Sequence, residues 1–170
     1  MKKFTQVLLV MILLSTFFFG GSVSTAEDKG PKILKFNTMV GVPAGLTGVQ
    51  SQVPLRGING DDIPWAIADV EGELRANGHL EISVQGLVLA AGANAGSNTS
   101  PVFRGLVSCV RSDGTFANIL TDPFPATTGP ASAGGGNAEI VADVALPQPC
   151  IAPNIFVTSG TGSWFAATGL

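Results

Sequence analysis

The sequence predicts an all-β fold, an antiparallel β-sandwich or flattened barrel of about eight or nine strands with one disulfide bond. Three observations lead to this fold class. Short apolar runs are separated by Gly, Pro, Asn and Asp, no amphipathic stretch with a helical period stands out, and the chain has two cysteines. With 22 glycines and 11 prolines, but 45% apolar residues, the chain combines frequent turns with enough apolar material for a core.

The first 26 residues have the features of a secretory signal peptide. Two lysines precede an apolar run over residues 7–19, and Ser24 and Ala26 are small residues at the positions before a cleavage site. The apolar run is short for a membrane span. We therefore expect cleavage after Ala26 and a single secreted β domain over residues 27–170, without a membrane span; an uncleaved anchor is the alternative.

The charge balance excludes some classes of partner. Without the first 26 residues, seven basic residues stand against twelve acidic ones, a net charge of −5. A nucleic-acid binder would need a basic patch, so nucleic acid is not expected as a partner. Charged residues are only 12% of the chain, which excludes a long solvated helix or coiled coil.

The two cysteines, Cys109 and Cys150, are expected to form a disulfide, because an exported chain with an even cysteine count favours oxidation. The bond would close a loop of about 40 residues and stabilise the fold by roughly 4 kcal/mol on the chain-entropy argument. The alternative is a free nucleophilic cysteine acting with His79, the only histidine.

Nine segments of the mature chain have the composition of strands, each bounded by turn residues. They are residues 33–40, 52–58, 65–76, 79–89, 102–111, 115–121, 138–146, 154–159 and 163–168. The third segment changes its apolar parity between Ile67 and Val70, which predicts a β-bulge there. Residues 41–48 are rich in Gly and Pro and are expected to form a loop.

Two tight hairpins are predicted from the alternation of side chains. A three-residue loop over residues 76–78 sets Leu74 opposite Leu80 on the apolar face, whereas a two-residue loop would bring charges to the core. Residues 112–114 have the same form, with glycine last. If strand direction alternates, both hairpins and the disulfide lie at one end of the sandwich.

The long loops, residues 90–101 and 122–137, then fall together at the opposite end, with residues 59–63 and 160–162. Loops of this length are uncommon without a function or disorder. We expect weak binding of a neutral ligand or a protein there; flexible connectors are the alternative. Asn94, Asn98 and Asp122 are the polar side chains assigned to this surface, and Asn98 also begins an Asn-Thr-Ser glycosylation motif.

Aromatic and acidic residues give two further candidate sites. Asp61 and Asp62 offer adjacent carboxylates that could hold Ca²⁺, and Trp65 beside them could stack on a sugar. The alternative is a solvated turn followed by a core tryptophan. Trp164 beside the turn at residues 160–162 could also bind a ligand, or else pack inside a closing strand.

One face of the first hairpin carries Glu71, Glu73, Arg75, His79 and Glu81. Two glutamates opposite each other, Glu73 and Glu81, would raise the pKa of one of them, which suits acid–base catalysis. The alternative is an ordinary polar face of an antiparallel sheet exposed to water.

No sequence pattern for zinc, phosphate, dinucleotide or EF-hand calcium binding is found, and no Gly-x-Ser-x-Gly nucleophile turn. The sequence therefore favours a secreted, non-catalytic β-sandwich with a binding or structural role at the cell exterior, in contact with a protein or glycan surface. The alternatives are a small secreted hydrolase that uses the surface carboxylates, and a secreted inhibitor or envelope protein.

Overall fold

A computed structural model describes residues 30–44 and 54–169. In this part of the chain the strands are β1 Lys32–Phe36, β2 Val40–Gly41, β3 Trp65–Ala66, β4 Asp69–Arg75, β5 His79–Gln85, β6 Val88–Leu89, β7 Ser97–Asn98, β8 Val102–Val110, β9 Phe116–Leu120, β10 Phe124–Pro125, β11 Gly129–Pro130, β12 Ala138–Asp143, β13 Ile151–Thr158 and β14 Trp164–Ala167. One short 3-10 turn covers Ala131–Ala133. The proposed signal segment, residues 1–26, lies outside the described residues.

The strands form two main sheets that pack face to face. The first has the order β1-β4-β5-β12, and the second has the order β10-β8-β13-β14-β2, with β9 beside β10 on the same edge of β8. Two short ribbons, β3–β6 and β7–β11, complete the fold, and every ladder between these strands is antiparallel. The predicted antiparallel β-sandwich is confirmed. No helix in residues 30–44 and 54–169 is long and apolar enough to cross a membrane.

Both predicted hairpins are confirmed in register. Leu74 lies opposite Leu80 at the first, and Gly78 closes its three-residue loop with a φ of +94°. A Cβ on Gly78 would lie 1.9 Å from a backbone oxygen of Val144, so this turn requires glycine for both conformation and space. The second hairpin ends on Gly114, which also has a positive φ but faces open space.

Three predicted strands are interrupted, and each interruption moves the chain to a new partner. The segment 33–40 divides into β1 and β2, which belong to different sheets. The segment 65–76 divides at residues 67–68, where the parity change predicts a bulge, and 79–89 divides at Gly86. Gly86 has a φ of +62° and donates its N–H to the side chain of Asn137. These breaks separate the short β3–β6 ribbon from the long β4–β5 hairpin.

The predicted strand 52–58 is wrong for its described part. Residues 52–53 lie outside the described residues, and residues 54–58 make only an isolated bridge between Leu55 and Ile58. This segment instead crosses the outer face of the second sheet. Arg56 donates to the backbone oxygens of Ser108 and Ala152, beside the irregularity in the β8–β13 ladder. The segment therefore packs over the outer face of the sheet and is not one of its strands.

The core lies between the two sheets and is closed by aromatic rings. Trp65 stacks on Phe165 with 4.0 Å between ring centroids, and Phe103 meets both rings edge-on. Gly105 on β8 lets the sheets approach, because a Cβ there would lie 3.0 Å from the side chain of Leu80 on β5. This packing holds the strand ends, and the loops that leave them, in fixed positions.

The predicted disulfide between Cys109 and Cys150 is confirmed, with 5.0 Å between the Cα atoms. Cys109 on β8 is completely buried. The bond joins that strand to the connection before β13. It lies toward the tight-hairpin end, since the second hairpin follows directly after β8. The alternative of a free catalytic cysteine acting with His79 is therefore wrong.

Candidate functional site

The Trp65 side chain belongs to the core, so its predicted use as an exposed stacking platform is wrong. Only 4% of the residue is exposed, and its Nε1–H donates to Asp61 Oδ2 over 2.7 Å. Asp62 points to solvent. No third acidic, histidine or cysteine side chain completes a metal site with Asp61 and Asp62 within the described ranges. Asp61 thus has an evident structural partner, and Ca²⁺ binding at this pair stays a prediction.

Trp164 is also a core residue, with 1% exposed, so of its two predicted roles the structure has the packed side chain of a closing strand. Its ring meets Phe156 edge-on at 6.2 Å, on the outer face of the second sheet. Its N–H donates to the carbonyl oxygen of Asn59, and its carbonyl accepts from the N–H of Asp61. Residues 59–61 therefore lie alongside Trp164, directly after the segment that crosses this outer face.

The charged hairpin residues share the solvent face of the first sheet, as predicted. Glu73 lies opposite Glu81. Glu73 also contacts the side chains of Lys32 and Arg75. The hydrogen bond from Lys32, followed by that from Arg75, lowers the pKa of Glu73 below its ordinary value. The expected proton-holding glutamate is therefore not Glu73.

His79 is held between two carboxylates on the same face. Its Nδ1 lies 2.8 Å from Asp143 Oδ1, and its Nε2 lies 2.7 Å from Glu81 Oε1. A general base needs a ring nitrogen that faces the substrate, and both nitrogens here face carboxylates. The arrangement is a network of hydrogen bonds and ion pairs on an open sheet face.

This network divides the sheet face by charge. Lys32 and Lys35 lie on β1, whereas Glu139 and Asp143 lie on β12 at the opposite edge. A shallow depression of about 310 Å³ between them is lined by Lys35, Glu71, Gly72, Glu73, Glu81, Ile82, Ser83, Glu139 and Val141. Sequence reasoning predicted a strand over residues 138–146 but did not name its exposed charges as candidate site residues. Its alternation of Glu139, Val141 and Asp143 with small or apolar residues is the signal that could have shown a second row of exposed charges.

The two long loops meet at the end of the sandwich away from the tight hairpins, as the strand alternation predicts. Residues 90–101 and 122–137 pair through the β7–β11 ribbon, and Ala131 donates its N–H to the carbonyl of Gly96. We call the surface formed by these two loops the loop platform. A Cβ on Gly135 would lie 1.9 Å from the carbonyl oxygen of Gly129, so the glycine run lets the second loop fold back closely on itself.

Asn98 is buried within the loop platform and forms hydrogen bonds to both of its loops. It is 1% exposed, and its Nδ2 donates to the carbonyls of Ser100 and Thr127, each over 2.8 Å. Its Oδ1 accepts from the N–H of Ser100. The prediction that Asn98 is a surface ligand group is therefore wrong. In the folded chain a glycan could not reach this nitrogen, because the nitrogen is buried and fully engaged.

Asn94 and Asp122 are exposed at the loop platform, as their assignment to a binding surface requires. Two predicted neighbours lie at the same end. The N–H of Ala90 donates to the carbonyl of Pro64, which follows residues 59–63. Arg104, near the start of β8, donates to the carbonyls of Thr121 and Gly160, which places residues 160–162 close to the start of the second loop. Strand alternation therefore assigned these four segments to the same end of the sandwich, as the structure has them, whereas Asn98, predicted to be an exposed side chain, is buried.

Comparisons with known proteins add no relative: the chain matches no protein-family model, no curated protein and no solved structure. Function must therefore be argued from the surfaces described above.

Proposed function

We propose that this chain is an exported, non-catalytic β-sandwich that binds a glycan or protein surface at the cell exterior through the loop platform. Its location is supported by the signal-peptide features of residues 1–26 and by the Cys109–Cys150 disulfide, since such bonds persist in oxidising compartments. The binding role is supported by one observation above all: two long loops are tied into a single surface.

The hydrogen bonds within the loop platform favour a binding surface over two flexible connectors. A flexible connector would need no internal bonds, but here Asn98 and Thr127 bond across the two loops. Thr127 also accepts from the N–H groups of Gly136 and Asn137 and donates to the carbonyl of Gly134. Binding residues are often carried by loops that a rigid scaffold holds in place. A pre-ordered loop also loses less conformational entropy when a partner binds.

The chemistry of the loop platform points to a neutral partner. Its exposed residues are mainly Ala, Gly, Ser, Thr, Asn and Pro, with Asp122 as the charged side chain of these loops. Hydroxyl, amide and backbone groups can bond a neutral glycan or a protein backbone, but they do not form an acid–base pair. The alternative hydrolase would use Glu73, Glu81 and His79, whose ion pairs lie on an open sheet face instead.

A pair of serine substitutions tests the proposal. Ser132 is exposed on the loop platform, and Ser112 is exposed in the tight hairpin that follows β8. We expect Ser132→Arg to reduce binding to a glycan array and to immobilised extracellular proteins at least tenfold, because a large charged side chain would stand in the interface. Ser112→Arg is the matched control and should leave binding within twofold of the parent protein.

The comparison of the two variants decides the outcome. If binding is found and Ser132→Arg leaves it unchanged, or if Ser112→Arg reduces it equally, the loop platform is not the binding surface. A secreted inhibitor would give the same dependence on Ser132 with a protease as the bound protein. Hydrolysis of a glycan or peptide substrate that is lost in Glu81→Gln would favour the enzyme instead.

A further inference from the structure

A cavity of about 350 Å³ lies where the chain passes from the first sheet to the second. Its walls come from β1 and the connection to β2, from the start of β13, from the residues after β14, and from the segment that crosses the outer face. The residues that matter for its chemistry are Leu34, Lys35, Phe36, Arg56, Asn154 and Thr168. The volume is in the range of small-molecule sites. Two lining residues are cationic and none is acidic, so the cavity has the charge of an anion site.

The guanidinium of Arg56 is fixed by the fold, but only some of its donors are used. Nη1 donates to the carbonyls of Ser108 and Ala152 over 3.1 and 2.8 Å, and Cζ lies 5.6 Å from the centroid of the Phe116 ring. These two bonds occupy both hydrogens of Nη1. The Nε–H and the Nη2 hydrogens have no partner among the described residues, and this edge of a guanidinium matches the two oxygens of a carboxylate.

Neither cation of the cavity has a counter-ion in the part of the chain that the structure describes. The ion pairs found there join Glu73 to Lys32 and Arg75, and His79 to its two carboxylates, and they include neither Arg56 nor Lys35. Desolvation lowers the pKa of the Arg56 guanidinium, which remains charged at neutral pH. Lys35 also borders the acidic depression of the first sheet, so Arg56 is the principal cation of the cavity.

A chain of hydrogen bonds leaves the donor end of a buried amide unused. The N–H of Ile155 donates to Thr168 Oγ1 over 3.0 Å, and Thr168 Oγ1 donates to Asn154 Oδ1 over 3.2 Å. The Asn154 amide is thereby oriented, and its Nδ2 has no partner within the described ranges although the residue is only 5% exposed. The cavity therefore offers an amide donor in addition to the guanidinium, and both groups suit the oxygens of an anion.

Backbone strain is concentrated at the same cavity. Arg56, with a φ of +52°, and Ala152, with a φ of +43°, are the only non-glycine residues of positive φ in the described part of the chain. Both line the cavity, and a hydrogen bond joins them. Ala152 also lies in the irregularity of the β8–β13 ladder. Strained backbone of this kind clusters at ligand sites, where it positions a functional group.

We propose that this cavity binds a small organic carboxylate. The unused edge of Arg56 holds the carboxylate, and Asn154 Nδ2 and the Lys35 ammonium donate to it as well. The apolar body of the ligand lies against Leu34 and Phe36. The site is separate from the loop platform, because none of residues 90–101 and 122–137 lines the cavity. It also differs in chemistry, since it selects an anion where the loop platform selects a neutral partner.

The test titrates sodium benzoate into the mature, ¹⁵N-labelled protein and follows NMR chemical shifts. We expect saturable binding with a Kd of about 0.1–10 mM, as befits a small probe of this class. The Arg56 Nε–H and the amides of Asn37 and Gly169 should shift most, because these residues line the cavity. Benzamide has the same shape without the charge and should bind at least tenfold more weakly.

Two variants and one matched control locate the site. Asn154→Asp keeps the acceptor for Thr168 but replaces the donor by a negative charge, and it should weaken benzoate binding at least tenfold. Lys35→Gln should weaken it about two- to fivefold, the effect of one exposed charge. Lys32→Gln makes the same change on the same strand outside the cavity and should have an effect below about 1.5-fold. If Asn154→Asp does not fold, Lys35→Gln and benzamide decide the outcome, since neither alters the core.

The proposal is overturned if benzoate gives no saturable shift up to about 50 mM, or if benzamide binds equally well. It is also overturned if Lys32→Gln weakens binding as much as Lys35→Gln. Inorganic sulfate that displaces benzoate and binds more tightly would assign the cavity to inorganic anions instead. Ser132→Arg on the loop platform should not affect benzoate binding, so failure at one site leaves the other proposal standing.

Discussion

Removal of the Asp61 carboxylate should destabilise the fold through Trp65. Asp61 Oδ2 accepts the indole N–H over 2.7 Å, and Trp65 is 4% exposed, so water cannot easily replace the acceptor. A hydrogen bond to a charged group contributes about 1.5–3 kcal/mol, and a buried donor left without a partner costs a similar amount. We therefore expect Asp61→Ala to lower the free energy of unfolding by about 1.5–3 kcal/mol, or the melting temperature by about 4–12 °C.

Two neighbouring variants separate this bond from a general effect of charge. Asp61→Asn keeps an oxygen acceptor and should cost about 1 kcal/mol, the difference between a charged and a neutral acceptor. Asp62→Ala removes an equal charge from an exposed side chain and should change stability by less than about 0.5 kcal/mol.

Urea unfolding followed by circular dichroism measures these differences, and tryptophan fluorescence reports the environment of the indole. Equal and small losses for Asp61→Ala and Asp62→Ala would refute the reasoning. A rise in melting temperature on addition of Ca²⁺, abolished by either variant, would show instead that the two carboxylates form a cation site.

Three further predictions concern stability. Replacement of both Cys109 and Cys150 by alanine should lower the free energy of unfolding by about 2–5 kcal/mol, close to the roughly 4 kcal/mol that chain entropy gives for a separation of 41 residues; denaturant titration with and without reductant checks this. Gly78→Ala should cost more than about 2 kcal/mol because its Cβ would meet a backbone oxygen, whereas Gly114→Ala, at a similar positive φ in open space, should cost about 1–2 kcal/mol in the same assay. The basic neighbours of Glu73 lower its pKa, so its carboxylate stabilises the fold above the unfolded-state pKa of about 4.3. This stabilisation is lost as the pH falls through the lower folded-state pKa. In a pH series, Glu73→Gln should therefore have a lower free energy of unfolding than the parent protein at pH 7 and an equal one at the acid end.

Local sequence patterns were sufficient to predict strand register where two strands are joined by a short turn. The register of the β4–β5 hairpin follows from the alternation around Leu74 and Leu80, together with a glycine that accepts a positive φ. The position of the disulfide and the meeting of the long loops follow from the same alternation, because strand direction reverses at each hairpin. These features follow from the positions of the turns and the reversal of strand direction, which a single sequence displays directly.

The burial of the two tryptophans could not be predicted from local sequence patterns. Trp65 and Trp164 each stand beside turn residues, and such a setting is compatible with exposure or with burial. Their burial depends on distant segments: Phe103 and Phe165 pack against Trp65, and residues 59–61 pair with the backbone of Trp164. The same holds for Glu73, whose pKa is set by Lys32 from a strand 41 residues earlier in the chain.

The second sheet shows most generally why the structure differs from the sequence predictions. Period-two alternation predicts one buried face per strand, yet Leu106 and Ser108 on the outer face of β8 are buried like Val107 on its inner face. Residues 54–58 cross this outer face, and the sequence alone predicted a strand over residues 52–58. Ser108 Oγ is left without a hydrogen-bond partner among the described residues, which fits a face buried by an irregular segment and not by a sheet with matched polar groups. Because that segment occupies the outer face of the second sheet, we place the proposed recognition surface at the loop platform and not on this sheet.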